Sequence, residues 1–395
     1  MKFTYNHTMK CCFLAYMCSA IVNNILPLLF ITLQKNFDIT VAQLGFLVAL
    51  NFGEQMFVDF LGARYADKFG YRTVIVTALI LCAVGLVFLG TLPFVITPLA
   101  GLVISVCTYA AGSGLLEVVV SPVTEALPTE NKEASMSLMH SFYCWGHLVC
   151  VVISTAYFVL LGVQKWRYLI YVWAILPLVT AILFTKMPMC SLSGSSHQKI
   201  NLSSVFSQKT FVAFVIIMIC SGAAEQSMAQ WISYFAEDGL KVSKTLGDLL
   251  GTSMFALCMG IGRVFYSKCA HRINLVKYLI FCSATLVLMY LGAALIPNPL
   301  IALLCCGVFG FAVSVMWPGT LSLASSTLAG RSTAMFALLA VGGDIGCTIG
   351  PEVVAFGASH FSVNGSDIKA GIICSVVFPV VLIICIKKVL KKRKI

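Results

Sequence analysis

The chain has 395 residues, of which 59% are hydrophobic and 10% charged, with a mean hydropathy of +0.96 and a net charge of +11. Soluble chains carry about 25% charged residues, so a soluble globular class is excluded and apolar runs near 20 residues point to membrane spans. The basic excess lies in short loops and the tail, which reads as a topology signal and argues against a nucleic-acid surface.

Twelve apolar segments follow one another, roughly 11–34, 41–61, 73–92, 97–120, 134–160, 167–186, 211–235, 246–267, 275–296, 299–327, 332–358 and 370–388. They predict an all-α membrane protein with twelve transmembrane helices. A polar stretch, Met187 to Lys209, rich in Ser and Gln, parts them into two sets of six. The expected domains are a six-helix half over 1–186, a cytoplasmic linker over 187–210, and a second half with a basic tail over 211–395. The first run is followed by no small-residue cleavage site, so it is expected to remain as the first helix. The 17 cysteines form no CxxC pair and no Cys/His set with zinc spacing; they read as small apolar packers, and no metal or other cofactor is implied.

With the N-terminus inside, 20 of the 26 Lys and Arg fall on the inner side, leaving Lys35, Lys165, Arg167, Lys241, Lys244 and Lys369 outside. That bias predicts both termini cytoplasmic. Landmarks recur at a nearly constant offset: Arg64 and Arg263, Lys68 and Lys268, Arg72 and Arg272, Pro122 and Pro318, and Met136 and Met335 are separated by 196 to 200 residues. Two similar six-helix halves explain this, and secondary transporters built from such repeats hold their solute between the halves near mid-membrane.

Polar residues inside the spans mark candidate sites, because each charge near mid-bilayer costs about 2.5–3.5 kcal/mol on insertion scales. Helix 1 offers Asn23 and Asn24; helix 2 offers Asn51, Glu54, Gln55 and Asp59, the last read as a structural partner for Arg64 or Arg72. The stretch from Ser113 to His147 is the richest. Ser113, Glu117, Ser121 and Glu125, four apart, drift along one face of helix 4, and helix 5 carries His140, Tyr143, Cys144, Trp145 and His147. Helix 7 carries Glu225, with Gln226 and Gln230 on one face, and Trp231; helix 10 carries Trp317; helix 11 carries Asp344 and Thr348 within GGDIGCTIGP. Asn23, Asn24, Gln226, Gln230, Trp231, Tyr143, Trp145, Trp317 and Asp344 are the expected substrate contacts. Glu117 is the first choice for carrying a coupling proton, with His140 and His147 as relays and Glu225 as the second choice.

The segment Ala63–Arg72, ARYADKFGYR, resembles the signature loop of the major facilitator superfamily: Asp67, Lys68, Gly70 and Arg72 fit, and Ala63 replaces the usual Gly. Together with Arg263 of the repeat, these are the expected gating residues. GLLEVVVSP followed by MSLMHSFYCWG resembles the helix 4–5 region of the bacterial fucose permease family of sugar:proton symporters, with Glu117 at the family's carboxylate position. The acidic residue of that family's helix 1 falls here on Asn24. The resemblance implies alternating access, proton coupling and a sugar as substrate.

The expected function is therefore secondary active transport of a small polar solute across the cytoplasmic membrane by a monomer, with the proton and the lipid bilayer as partners. Drug or metabolite efflux on the same fold, and a nutrient sensor that does not transport, are the rival readings. No GxxxxGK[ST] loop, HExxH or GxSxG occurs in the chain, so ATP-driven transport and the intramembrane enzymes those motifs mark find no support.

Overall fold

The computed structural model describes residues 3–129, 132–190, 209–269, 273–327 and 333–393, without the side chains at 60, 62–67, 132–134, 137, 209, 333–337 and 390–393. Among the described residues, twelve helices are long and apolar enough to cross a membrane: α1 (Tyr5–Phe37), α2 (Val41–Asp59), α3 (Tyr71–Phe94), α4 (Pro98–Ala126), α5 (Leu138–Leu161), α6 (Val163–Lys186), α7 (Thr210–Gly239), α8 (Lys244–Cys269), α9 (Leu275–Leu295), α10 (Pro299–Thr327), α11 (Leu338–His360) and α12 (Asp367–Val389). Every one of the twelve expected segments is a helix. Several overrun their apolar core: α2 lies within a helix over Val41–Phe69, and α5 within one over Lys132–Leu161. Polar side chains at a span end reach water along their apolar stems, so the helix outlasts the hydropathy signal.

The chain divides into two compact units, Met1–Ile39 with Leu50–Ser196, and Thr40–Ala49 with His197–Ile395. The first turns of α2 thus group with the second unit. In the first unit α1 packs on α4, α5 and α6, and α3 packs on α4 and α6. In the second, α7 packs on α10, α11 and α12, and α9 packs on α10 and α12. Each pair in one unit has its counterpart six helices further on, so the internal repeat extends from sequence landmarks to packing.

Small residues set the closest approaches. A Cβ on Gly146 of α5 would stand 2.9 Å from Met17 Cα of α1, and Gly346 of α11 lies against the Ile219 carbonyl and Ala223 nitrogen of α7. Gly222 meets the Gly343 carbonyl, and Gly350 lies on the backbone of Ala223. The Gly-rich run of α11 is therefore the surface on which α7 rests, as small residues permit within a membrane. On the outside of α6, Tyr168, Val172, Ile175, Val179 and Ile182 are exposed. Their spacings of four and three make one apolar stripe, which suits lipid chains.

Gly346→Ala should force α7 and α11 apart and destabilise the protein by about 1–3 kcal/mol. Gly342→Ala meets Val215 and Met218, no nearer than 3.3 Å, and should cost much less. Thermal midpoints of the two variants in detergent micelles check the difference.

Candidate functional site

Among the described residues, four spans are interrupted along their length, one of them α12, where Asp367–Cys374 gives way to Val377–Arg393 across Ser375 and Val376. In α1 the helix Tyr5–Ile25 ends immediately after Asn23 and Asn24, a 3₁₀ turn spans Pro27–Leu29, and helix resumes at Phe30. In α7 the helix Lys209–Ala229 ends at Gln230 and Trp231, then continues through Ile232–Tyr234 into a π-helical turn, Phe235–Gly239. In α10 helix Pro299–Val313 gives way to Met316–Thr327 across Ser314 and Val315. Pro27 explains the first break, since it has no amide hydrogen to donate and its ring crowds the preceding turn. Such discontinuous helices carry solute sites in secondary transporters.

In the first unit, a neutral hydrogen-bond network gathers on Asn23. Its Nδ2 donates to Gln55 Oε1 at 3.2 Å, and Gln55 Nε2 donates back to Asn23 Oδ1 at 3.1 Å. Asn51 Nδ2 also donates to Asn23 Oδ1 at 3.4 Å, and Asn23 Nδ2 lies 3.4 Å from the Tyr143 hydroxyl. Asn24 spends its amide within its own helix, donating to the Ala20 carbonyl at 2.8 Å. Asn23, Asn24, Asn51 and Gln55 are all buried, while Tyr143 is half-buried.

A second cluster centres on Tyr16, a residue that sequence reasoning missed. Its hydroxyl lies 3.3 Å from Ser121 Oγ of α4, and its ring meets His140 of α5 edge to face at 5.1 Å. Glu117, Asp59 and Tyr143 are within electrostatic reach of the same phenol. One turn along α1, Ser19 shares a 2.8 Å hydrogen bond with Ser113. The structure thus brings Glu117, His140 and Tyr143 around one buried tyrosine. Glu117 and His140 are exposed, His147 is buried further along α5, and Trp145 is half-buried. A lone tyrosine in an apolar run carries no spacing signal, so only the packing of α1 on α4 and α5 reveals it.

In the second unit, Gln230 Nε2 donates to Gln226 Oε1 at 3.1 Å, as their four-residue spacing predicts. Trp231 is fully buried, its indole N–H donating to the Pro351 carbonyl at 3.2 Å. The ring therefore sits within the α7–α11 packing and presents no open face for stacking. Trp317 is half-buried with its ring against Gly343, beside Asp344, which is half-buried too. Glu225 is buried and stands 3.8 Å from Arg263 Nη2 of α8, 38 positions further on, a pairing that no local spacing could forecast.

Of the expected gating residues, Gly70 adopts φ = 81° at the start of α3, a conformation that glycine accepts without strain. Arg72 donates to the Met187 carbonyl at 2.6 Å, tying the start of α3 to the chain just beyond α6. Lys68 is exposed. Asp67 and Arg64 lie outside the described side chains, and Arg272 outside the described residues.

Twelve apolar helices in two like-packed units, with interrupted spans flanked by amides, define the class: a multi-pass membrane protein of the transporter-fold type. A family model, the Major Facilitator Superfamily, matches residues 12–351, and the chain belongs to that family. No curated protein sequence matches it. Among solved structures, it is similar to a bacterial homologue of the human lysosomal transporter Spinster in an inward-facing, occupied conformation, at 13% identity and TM-score 0.82 over 98% of this chain and 97% of the other. It is also similar to a D-xylose–proton symporter, at 15% identity and TM-score 0.79 over 96% and 97%. The E. coli fucose:proton symporter aligns at 18% identity and TM-score 0.66 over 98% and 99%.

Gln55→Leu removes both hydrogen bonds of the reciprocal amide pair and leaves Asn23 under-bonded in a buried place, at a cost of about 1–3 kcal/mol. Asn23→Leu with Gln55→Leu should cost less than the sum of the two single changes. A double-mutant cycle on thermal stability should return a coupling of roughly 0.5–3 kcal/mol.

Proposed function

We propose that the protein is a secondary active transporter that moves a small, hydroxyl-rich polar solute by alternating access, coupled to protons through Glu117. The observation that carries this reading is Glu117 itself, a carboxylate within the apolar span Pro98–Ala126 whose side chain is nevertheless exposed. A charge so placed is costly in hydrocarbon and tolerable beside water, so an intramembrane carboxylate of this kind marks a proton or solute path. Tyr16, within electrostatic reach of Glu117, bonds Ser121 and meets His140, groups that both donate and accept hydrogen bonds. The neutral network of Asn23, Gln55, Asn51 and Tyr143, with Gln226 and Gln230 in the other unit, suits hydroxyl groups better than a charged or wholly apolar solute. Sugar:proton symporters and a nucleoside transporter among the similar folds agree with a hydroxylated solute.

In this scheme Asp67, Lys68, Gly70, Arg72 and Arg263 tune the balance of inward- and outward-facing states. Trp317 and Asp344 contribute to the solute site, and His147 and Glu225 serve as secondary proton groups. The protein acts as a monomer in the cytoplasmic membrane, with both termini cytoplasmic. Cysteine labelling checks that orientation: Lys186→Cys should react only from the cytoplasmic side and Asn364→Cys only from outside, and the opposite pattern at both would reverse it.

The decisive test is Glu117→Gln in proteoliposomes supplied with L-fucose, D-xylose or uridine. Wild-type protein should accumulate one of them uphill when a proton gradient is imposed, with alkalinisation of the outer medium. The Gln variant, unable to release a proton, should still exchange solute across the membrane but should accumulate none. Wild-type accumulation in that variant, with normal proton movement, would remove Glu117 from the mechanism.

A further inference from the structure

The connection between α7 and α8 holds a cluster of charges that the site described above does not use. Asp248 is 0% exposed, and its two carboxylate oxygens are both occupied: Ser233 Oγ donates to Oδ1 at 2.6 Å, and Lys244 Nζ lies 3.1 Å from Oδ2. Lys244 itself is 15% exposed and also reaches Glu237 Oε1 at 3.3 Å and Ser233 Oγ at 3.4 Å. An ammonium group has three donors, and here three acceptors surround it. Two come from the outer segment of α7 and one from the start of α8. Both segments are irregular where they meet the cluster, with π-helical turns at Phe235–Gly239 and Gly247–Ser253. Outside the cluster, Lys241 and Asp238 form an exposed pair at 3.0 Å, which adds little.

We propose that Lys244 is a positioning residue: it fastens the outer segment of α7, Ile232–Gly239, to the first turns of α8 and thereby fixes the break at Gln230–Trp231. The body of α7 is held differently, by the glycine contacts of α11 against Ile219, Gly222 and Ala223. The two parts of α7 thus rest on different neighbours, the body on α11 and the segment beyond the break on α8, where Ile232 and Ala236 pack against Gly251 and Gly247 beside the ionic cluster, and the break between them carries Gln230. A buried ion pair seldom adds net stability over apolar packing, yet loss of one partner strands the other's charge. Such a cluster therefore selects one arrangement of the segment and penalises every arrangement that separates Lys244 from Asp248. Its effect on solute binding rests on the transporter reading above; its effect on packing does not.

Hydrogen–deuterium exchange on the full chain in micelles tests the fastening. Lys244→Met should raise amide exchange in residues 232–246 by roughly 100-fold, the scale expected for an uncompensated buried carboxylate, while 211–229 stays near the wild-type rate. Lys244→Arg, which keeps the charge and its donors, should stay within about threefold of wild type. Lys244→Met combined with Asp248→Leu removes both charges and should restore most of the protection, even where the single Met variant fails to fold. Unchanged exchange in the single variant, or a double variant as fast as or faster than the single, would overturn the proposal. For whichever of L-fucose, D-xylose or uridine the wild type moves, Lys244→Met should raise KM at least about tenfold, and Lys244→Arg should rescue it. Faster exchange with unchanged KM would refute the positioning of Gln230. Should the wild type move none of the three, the transporter reading fails while the exchange result still decides the fastening.

Discussion

A polypeptide inside hydrocarbon cannot leave its backbone unbonded, and that constraint governs where this chain is able to break. In α1 the 3₁₀ turn supplies replacement bonds, Leu29 N–H to the Leu26 carbonyl at 2.9 Å and Phe30 N–H to Pro27, while Pro27 has no N–H to satisfy. In α7 the Gln230 and Trp231 amides bond to Gln226 and Met228 at 3.1 and 3.0 Å, and Phe235 returns to Trp231 at 2.7 Å. Because the breaks are internally bonded, they expose little bare backbone. What they change is side-chain direction, with Asn23 bonded to Gln55 in the first unit and Gln230 to Gln226 in the second.

The same economy explains the side-chain polar groups. Asn23 and Gln55 satisfy each other, Asn24 satisfies its own helix, and Tyr290 shares its hydroxyl between Ser227 and the Ala224 carbonyl. These groups are neutral, so pairing removes most of their desolvation cost. Charges cannot be handled so cheaply. Asp248 is buried with a full complement of partners and Glu225 stands near Arg263, whereas Glu117 is exposed. These three carboxylates thus occupy three different settings: sealed and fully bonded, buried beside a guanidinium, and exposed.

Much of the architecture was legible in the sequence because hydropathy and basic-residue bias act on whole spans. Twelve runs gave twelve helices, and the offset near 200 residues reappears in Gly146 on α1 and Gly346 on α7. Within the site, legibility followed range. Gln226 and Gln230 were readable because a helix brings residues four apart together, and they are bonded. Tyr16 with Glu117 and His140, and Glu225 with Arg263, were not, since each joins different helices. Lys244 and Asp248 illustrate a third case: their spacing is helical, but among loop charges the sequence holds no sign that the carboxylate would be sealed from water.

The missing helix 1 carboxylate sharpens what the geometry implies about coupling. Asn24 occupies the place where the resembling symporters carry an acid, and here it is bonded to Ala20 with no charge to exchange. A symporter needs at least one group whose protonation differs between its two facing states. Within the first unit, Asp59 lies against Gly114 of α4, where a Cβ would stand 3.0 Å from its carboxylate, so its movement is confined by helix packing. Glu117 is exposed and sits on the helix that packs directly on the interrupted α1, within electrostatic reach of Tyr16, which in turn bonds Ser121 and meets the exposed His140. A shift of α1 at its break would alter the surroundings of Tyr16 and, through it, those of Glu117. On the proposed scheme, solute binding at the amides of α1 and proton exchange at Glu117 of α4 would be joined through Tyr16, without a second acid in α1.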